Sequence, residues 1–253
     1  MREKISLYGF NNLTTALSFN IYDVCYAKTA QEKREYVAYI DEQYNSDRLT
    51  DILHNLTEMI GATVLMTSKQ DYEPQGASAA LLIAEEPVYR GKDDVVLAHL
   101  DKSHVTVHTY PESHPDNAIA TFRVDIDVST CGEISPLSTL DYLIGSFDSD
   151  IITMDYRVRG FTRDLGGKKI FMDHPIYSIQ EYISDETLKR YDAVDINWYQ
   201  SNMFHTKMMI KDIDLQNYLF NVENLSLLEK ERDKITEGLR REMIEIFAGA
   251  NIF

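Results

Sequence analysis

From residue 122 to residue 128 the chain alternates strictly: Phe122, Val124, Ile126 and Val128 are apolar, while Arg123, Asp125 and Asp127 between them are charged. Successive side chains of a strand point to opposite faces, so this stretch can bury only one side and predicts a sheet with one packed and one wet face. Shorter candidates of the same kind lie at 62–65, 79–83, 95–100 and 105–109, and 151–158 and 202–210 read as strands in the C-terminal half. Helical spacing precedes them. Tyr36, Val37 and Ile40 share a face within 30–44, as do Ile52, Leu53, Leu56 and Ile60 within 50–60, with Gly61 where a C-terminal cap belongs. Ser226 followed by Glu229 marks the start of a last helix running to Phe247. Helices grouped ahead of closely spaced strands predict an α+β fold, a layered sandwich with a mainly antiparallel sheet and helices on one face.

With 253 residues, 44% of them hydrophobic, the chain can bury a sizeable core, and no linker or repeat divides it, so 1–253 reads as a single unit. The formal net charge of −16 argues against a nucleic-acid backbone as partner, since phosphate binding needs clustered Lys and Arg. The same field favours a small cationic ligand, though solubility is the plainer explanation of the charge. Cys25 and Cys131 cannot build a disulfide framework or a four-cysteine zinc site, which fits a reducing cytoplasm. No signal peptide is evident, and no stretch approaches the roughly 20 apolar residues of a membrane span, so no membrane partner is expected.

The chemistry centres on Lys102-Ser103. A serine hydroxyl held against the preceding carbonyl carbon can attack it and convert the amide to an ester, because effective molarities in such steps reach roughly 10⁵ to 10⁸ M. Loss of the Ser103 α-proton then expels the carboxylate, and the dehydroalanine left behind hydrolyses to a pyruvoyl group. A turn serine is the plainer reading of Ser103 by itself. His104 and His108 lie four apart on a strand, roughly 13 Å, too far to share a zinc. His108 is instead a lone acid, base or stacking group, or a structural histidine. Parity sets Ser103 with Val105 and Val107 and sends His108 the other way, so either the chain bends near Ser103 or the relevant atom is its α-carbon. Cys131 ends the alternating strand beside Gly132, as a proton donor, a nucleophile or a small buried hydrophobe. The loop 72–78, with Pro74 and Gly76, leads into the next strand and places Ser78 at its start.

These segments together resemble the bacterial S-adenosylmethionine decarboxylase proenzymes of the longer, enteric type. The resemblance runs nearly end to end, through 7–13, 25–30, 71–78, 100–114, 129–132, 155–164 and 204–207, and its most specific element is Lys102-Ser103-His104 with His108 and Thr109-Tyr110-Pro111-Glu112 following. The loop around 87–95 is shorter than the family's. The resemblance implies that Ser103 becomes the pyruvoyl cofactor, which condenses with the substrate amine as an imine and takes up electrons as carbon dioxide leaves. It implies a β fragment 1–102 ending at Lys102, an α fragment 103–253, self-processing assisted by Ser78 and His108, and product protonation by Cys131. Glu112 matches the acid that holds the ribose hydroxyls, and Tyr72 the aromatic that stacks on adenine. S-adenosylmethionine is then the substrate, its decarboxylated product the aminopropyl donor for spermidine synthesis, Mg²⁺ an activator with no ligand set to carry over, and the assembly a homo-oligomer of αβ units with the site near an interface.

Other readings stay open. A pyruvoyl decarboxylase of ornithine or arginine would use the same chemistry with a different pocket. An unprocessed regulatory homologue, or a Cys131-His108 thiol hydrolase, would leave the chain intact.

Overall fold

The computed structural model describes residues 5–9, 11–84, 103–131, 134–221 and 227–252. The expected strand at 95–100, the loop at 87–95, Lys102, Gly132 and Ser226 lie outside them. In chain order the elements are β1 (Thr14–Tyr26), α1 (Ala30–Gln43), α2 (Ser46–Met59), β2 (Thr63–Asp71), β3 (Ala77–Ala84), β4 (Ser103–Ser113), β5 (Ile119–Cys131), α3 (Leu140–Ser146), β6 (Ile151–Arg159), β7 (Thr162–Arg163), β8 (Lys169–Ile170), α4 (Asp185–Arg190), β9 (Tyr191–Asp195), β10 (Met203–Ile210) and α5 (Glu229–Ala248).

Eight strands form one sheet in the order β2-β3-β4-β5-β1-β6-β10-β9, antiparallel throughout, and β7 and β8 make a separate hairpin. The alternation in β5 sets the faces: Phe122, Val124, Ile126 and Val128 are buried, and Arg123, Asp125 and Asp127 turn outward. On the packed face Leu17, Phe19 and Ile21 of β1 and Val105 and Val107 of β4 meet Tyr36 and Ile40 of α1 and Leu49, Leu53 and Leu56 of α2 in one core. Each such side chain contributes roughly 1.5–3 kcal/mol when fully buried. The helices start where local chemistry starts them. Thr29 caps α1 through a reciprocal box with Glu32 at 3.1 and 2.7 Å. Asn45 Oδ1 accepts from the Arg48 N–H at 3.0 Å, so α2 begins at Ser46, ahead of the position 50 its apolar spacing suggests.

One helix takes the other side. Ile235, Leu239 and Met243 of α5 pack on Val24, Ile119 and Ile151, which belong to the outward-facing sets of β1, β5 and β6. This covers one end of the wet face and leaves the rest exposed. The start of α5 also departs from the sequence expectation, because Glu231 accepts from the Leu228 N–H at 3.1 Å and the helix opens at Glu229.

Candidate active site

Two groups of the expected residues lie on β4 and its neighbours, at different points along the strand. Ser103 opens β4, is fully buried and points to the packed face with Val105 and Val107. Its Oγ accepts a hydrogen bond from the Cys131 backbone N–H at 3.3 Å, so the ends of β4 and β5 bring these two residues together. The Cys131 side chain belongs to the opposite, outward-facing set and is half-buried.

The second group is centred on His108, which stands directly opposite Ser78 on β3 and Asp125 on β5. Tyr72 donates from its hydroxyl to Ser78 Oγ at 2.7 Å. Gly76 makes that loop possible: its φ is +91°, and a Cβ there would stand 2.7 Å from the Thr109 carbonyl oxygen. The His108 ring stacks on Tyr110 at 6.4 Å between centroids, and the Arg123 guanidinium lies 4.3 Å above the Tyr110 ring while bonding Asp125 at 2.9 Å. Burial raises the Asp125 carboxyl, and the Arg123 and His108 charges oppose that rise. Glu112 is exposed on the same outward face, four residues beyond His108, and its charge adds to the upward shift of Glu242 on α5.

Within one chain the two groups do not converge. β4 pairs with β3 in unbroken register from Ser103 to His108, without the bend that would fold one toward the other. Five residues of strand separate them by roughly 16 Å. Cys131 stands six residues from Asp125, the β5 partner of His108, so a Cys131-His108 nucleophile pair would have to span roughly 20 Å.

A sequence signature of the family described as S-adenosylmethionine decarboxylase matches residues 38–160, a span holding Ser78, Ser103, His108, Glu112 and Cys131. A protein of Alkaliphilus oremlandii called S-adenosylmethionine decarboxylase proenzyme is 67% identical over 267 residues, covering 100% of this chain and 99% of its own. The chain belongs to the S-adenosylmethionine decarboxylase family. Proenzymes of the same description from Clostridium botulinum, at 65% identity and 98% of their length, and Alkalilimnicola ehrlichii, at 59% and 96%, are similar over 100% and 98% of this chain. The first alignment is longer than the 253 residues of the chain, so that relative carries residues this decarboxylase-family chain lacks.

His104 and His108 sit on one strand face as expected, and among the described residues no group of three His, Cys, Asp or Glu side chains is placed to hold a metal ion. No described helix is long and apolar enough to cross a membrane. A cavity of about 460 Å³ lies elsewhere, at the far end of β1, walled by Asp23, Cys25, Tyr36, Asp148, Asp150 and Tyr218. Burial and the neighbouring carboxylates push the Cys25 thiol up to about 12, leaving it a protonated, inert wall residue. Sequence reasoning missed Asp125, Arg123 and Tyr110 as neighbours of His108. Their signal was the alternation itself, which puts Arg123 and Asp125 on one face two residues apart. It also missed the His205-Asp155 pair, joined at 2.7 Å on the same outward face.

Proposed function

We propose that this chain is a proenzyme that cleaves itself between Lys102 and Ser103 and then decarboxylates S-adenosylmethionine. The observation that carries the reading is the Ser103–Cys131 contact in a chain of this family: the residue to be converted and the backbone of the residue whose thiol would protonate the product meet at the ends of β4 and β5. A pyruvoyl group at the former Ser103 α-carbon supplies the electron sink for loss of carbon dioxide. The chain's own residues do the rest. The Cys131 N–H orients the Ser103 oxygen before cleavage, and the Cys131 thiol, on the face away from that oxygen, delivers a proton to the substrate's α-carbon afterwards. Placing the proton there matters, since protonation on the cofactor would transaminate and inactivate it. Glu112 holds the ribose hydroxyls and Tyr72 stacks on adenine, with product release feeding spermidine synthesis in the cytoplasm.

Ser78 and His108 assist the cleavage, but not of the Ser103 on their own strand. A second copy facing the uncovered part of the sheet would bring its Ser78, His108 and Glu112 to the Ser103–Cys131 end of the first, which makes the working unit a homo-oligomer of αβ pairs.

Intact-mass measurement of the purified protein, with carbon dioxide release from S-adenosylmethionine, ornithine and arginine assayed in parallel, tests the proposal. Fragments 1–102 and 103–253, the second blocked by a pyruvoyl, and release from S-adenosylmethionine alone are expected. An uncleaved but active chain, or activity confined to a basic amino acid, would overturn it.

A further inference from the structure

Thr130 precedes Cys131 and points to the packed side of β5, where it is fully buried. Thr15 of β1 is its register partner and is 6% exposed, and the two hydroxyl oxygens are 2.6 Å apart. Thr130 Oγ1 also donates to the Ile134 carbonyl at 2.9 Å. A hydroxyl has one proton, so with that of Thr130 committed to Ile134, Thr15 donates to Thr130. Both directions are therefore fixed. Thr130 is held at two points, to a central strand of the sheet and to the chain four residues on, and the two bonds bracket Cys131. Ser103 lies one step past the His104–Ser129 pair, on the same buried face as Thr130, and takes its hydrogen bond from the very next amide.

Two more hydroxyls, Ser135 Oγ and Tyr156 Oη, are buried in this region, and the Tyr156 hydroxyl lies beside those of Ser135 and Thr15. Most buried polar groups are paired, and polar groups in an interior cost stability that apolar packing would not. Packing alone does not call for hydroxyls here, since the other inward residues of β5 are Ala120, Phe122, Val124, Ile126 and Val128.

We propose that Thr15 and Thr130 are positioning residues for the Ser103–Cys131 pair, a buried clamp that fixes the end of β5. The inference rests on the self-cleaving reading above. Loss of the Ser103 α-proton, expulsion of the Lys102 carboxylate and hydrolysis of the dehydroalanine to pyruvoyl with release of ammonia follow an acyl exchange: the Ser103 Oγ forms a bond to the Lys102 carbonyl carbon, the bond from that carbon to the Ser103 nitrogen breaks, and the hydroxyl proton ends on that nitrogen. The clamp holds the Cys131 N–H on the attacking oxygen through this exchange. After cleavage it holds the Cys131 thiol where its proton reaches the substrate's α-carbon, and the thiolate is then reprotonated from solvent.

The test compares Thr130→Val with Thr130→Ser in the full chain, reading the rate of self-cleavage by gel and the number of turnovers each processed chain completes before it inactivates. A purely structural threonine would not move that second number. Thr130→Val is expected to slow cleavage roughly tenfold or more and to lower the turnovers before inactivation, with Thr130→Ser restoring both. Thr15→Val, which removes only the first of the two bonds, should give a milder form of the defect, and the double valine variant should be no worse than Thr130→Val, which already removes both. If Thr130→Val does not fold, Thr15→Val and Thr15→Ser read the same bond from β1. Wild-type cleavage rates and turnover numbers in the valine variants, or no rescue by serine, overturn the clamp. A wild-type chain that never cleaves overturns the underlying function instead.

Discussion

Gly76 offers a sharp test of how the Tyr72–Ser78 corner is built. Its φ of +91° is a conformation that costs an L-residue roughly 1–2 kcal/mol. An alanine Cβ would also sit 2.7 Å from the Thr109 carbonyl oxygen, closer than real Cβ contacts come. That carbonyl cannot easily retreat, because the Thr109 Oγ1 is tied to the Ala77 N–H at 2.8 Å and Thr109 pairs with Val124 of β5. Overpacking against a fixed neighbour adds roughly 1–3 kcal/mol. Gly76→Ala should therefore cost about 3 kcal/mol, or about 6–12 °C in Tm for a chain of this size. Gly61→Ala is the control: φ is +76° but nothing lies within 4 Å of the added Cβ, so only the conformational part of about 1–2 kcal/mol remains. Both are measured by thermal melting in a Ser103→Ala background, so that one intact polypeptide unfolds. Equal losses in the two variants would refute the claim that the Thr109 carbonyl is a rigid wall, and with it the idea that the loop geometry sets Ser78 opposite His108.

Cys131→Ala should still cleave at Lys102-Ser103, because the contact to Ser103 comes from the backbone N–H, while decarboxylation falls by about 10²-fold or more through loss of the proton donor; a gel and carbon dioxide release separate the two. Burial and the Asp150 and Asp148 carboxylates raise Asp23 well above the carboxylate range, so its stabilising proton is fully present below the unfolded value of about 3.9 and is lost as pH rises through the folded one. Asp23→Asn should accordingly raise Tm more at pH 8 than at pH 4, as a melting series across that range would record. Thr29→Ala removes one half of the α1 capping box and should cost about 1 kcal/mol, read as a shift in denaturation midpoint without a change in its slope.

The strands richest in alternation were legible in the sequence, and so was the sidedness of the sheet, because burial on one face writes a period of two into Phe122, Val124, Ile126 and Val128. The central strand β1 was not read, although Leu17, Phe19 and Ile21 alternate with Ser18 and Asn20. Its polar positions are small and uncharged, so the contrast between faces is weaker than in β5. That α5 crosses to the outward face was hidden for a related reason: the residues it covers, Val24, Ile119 and Ile151, sit at strand ends and look like ordinary inward positions. Ser103, His108 and Cys131 could be named from motifs, and parity sent Ser103 and His108 to opposite faces of the strand. Register decided what motifs could not. That His108 faces both Ser78 and Asp125, and that Cys131 meets Ser103 through its amide, follows from long-range strand pairing that no local pattern encodes.

The topology bears on what self-cleavage does to the fold. The proposed cleavage would put β1, β2 and β3 in fragment 1–102, with β1 between β5 and β6 of fragment 103–253 and β3 paired with β4. Pulling the fragments apart would break the β1 ladders on both edges, from Thr14 to Tyr26 against β5 and from Thr14 to Tyr22 against β6. It would also expose Leu17, Phe19 and Ile21, each fully buried, at about 5–9 kcal/mol for those three alone. Breaking the Lys102-Ser103 bond removes only a covalent tie. The two fragments should therefore migrate as one species in size-exclusion chromatography at high dilution and separate only in denaturant, and dissociation in plain buffer would mean that the strand order β4-β5-β1-β6 does not describe the processed protein.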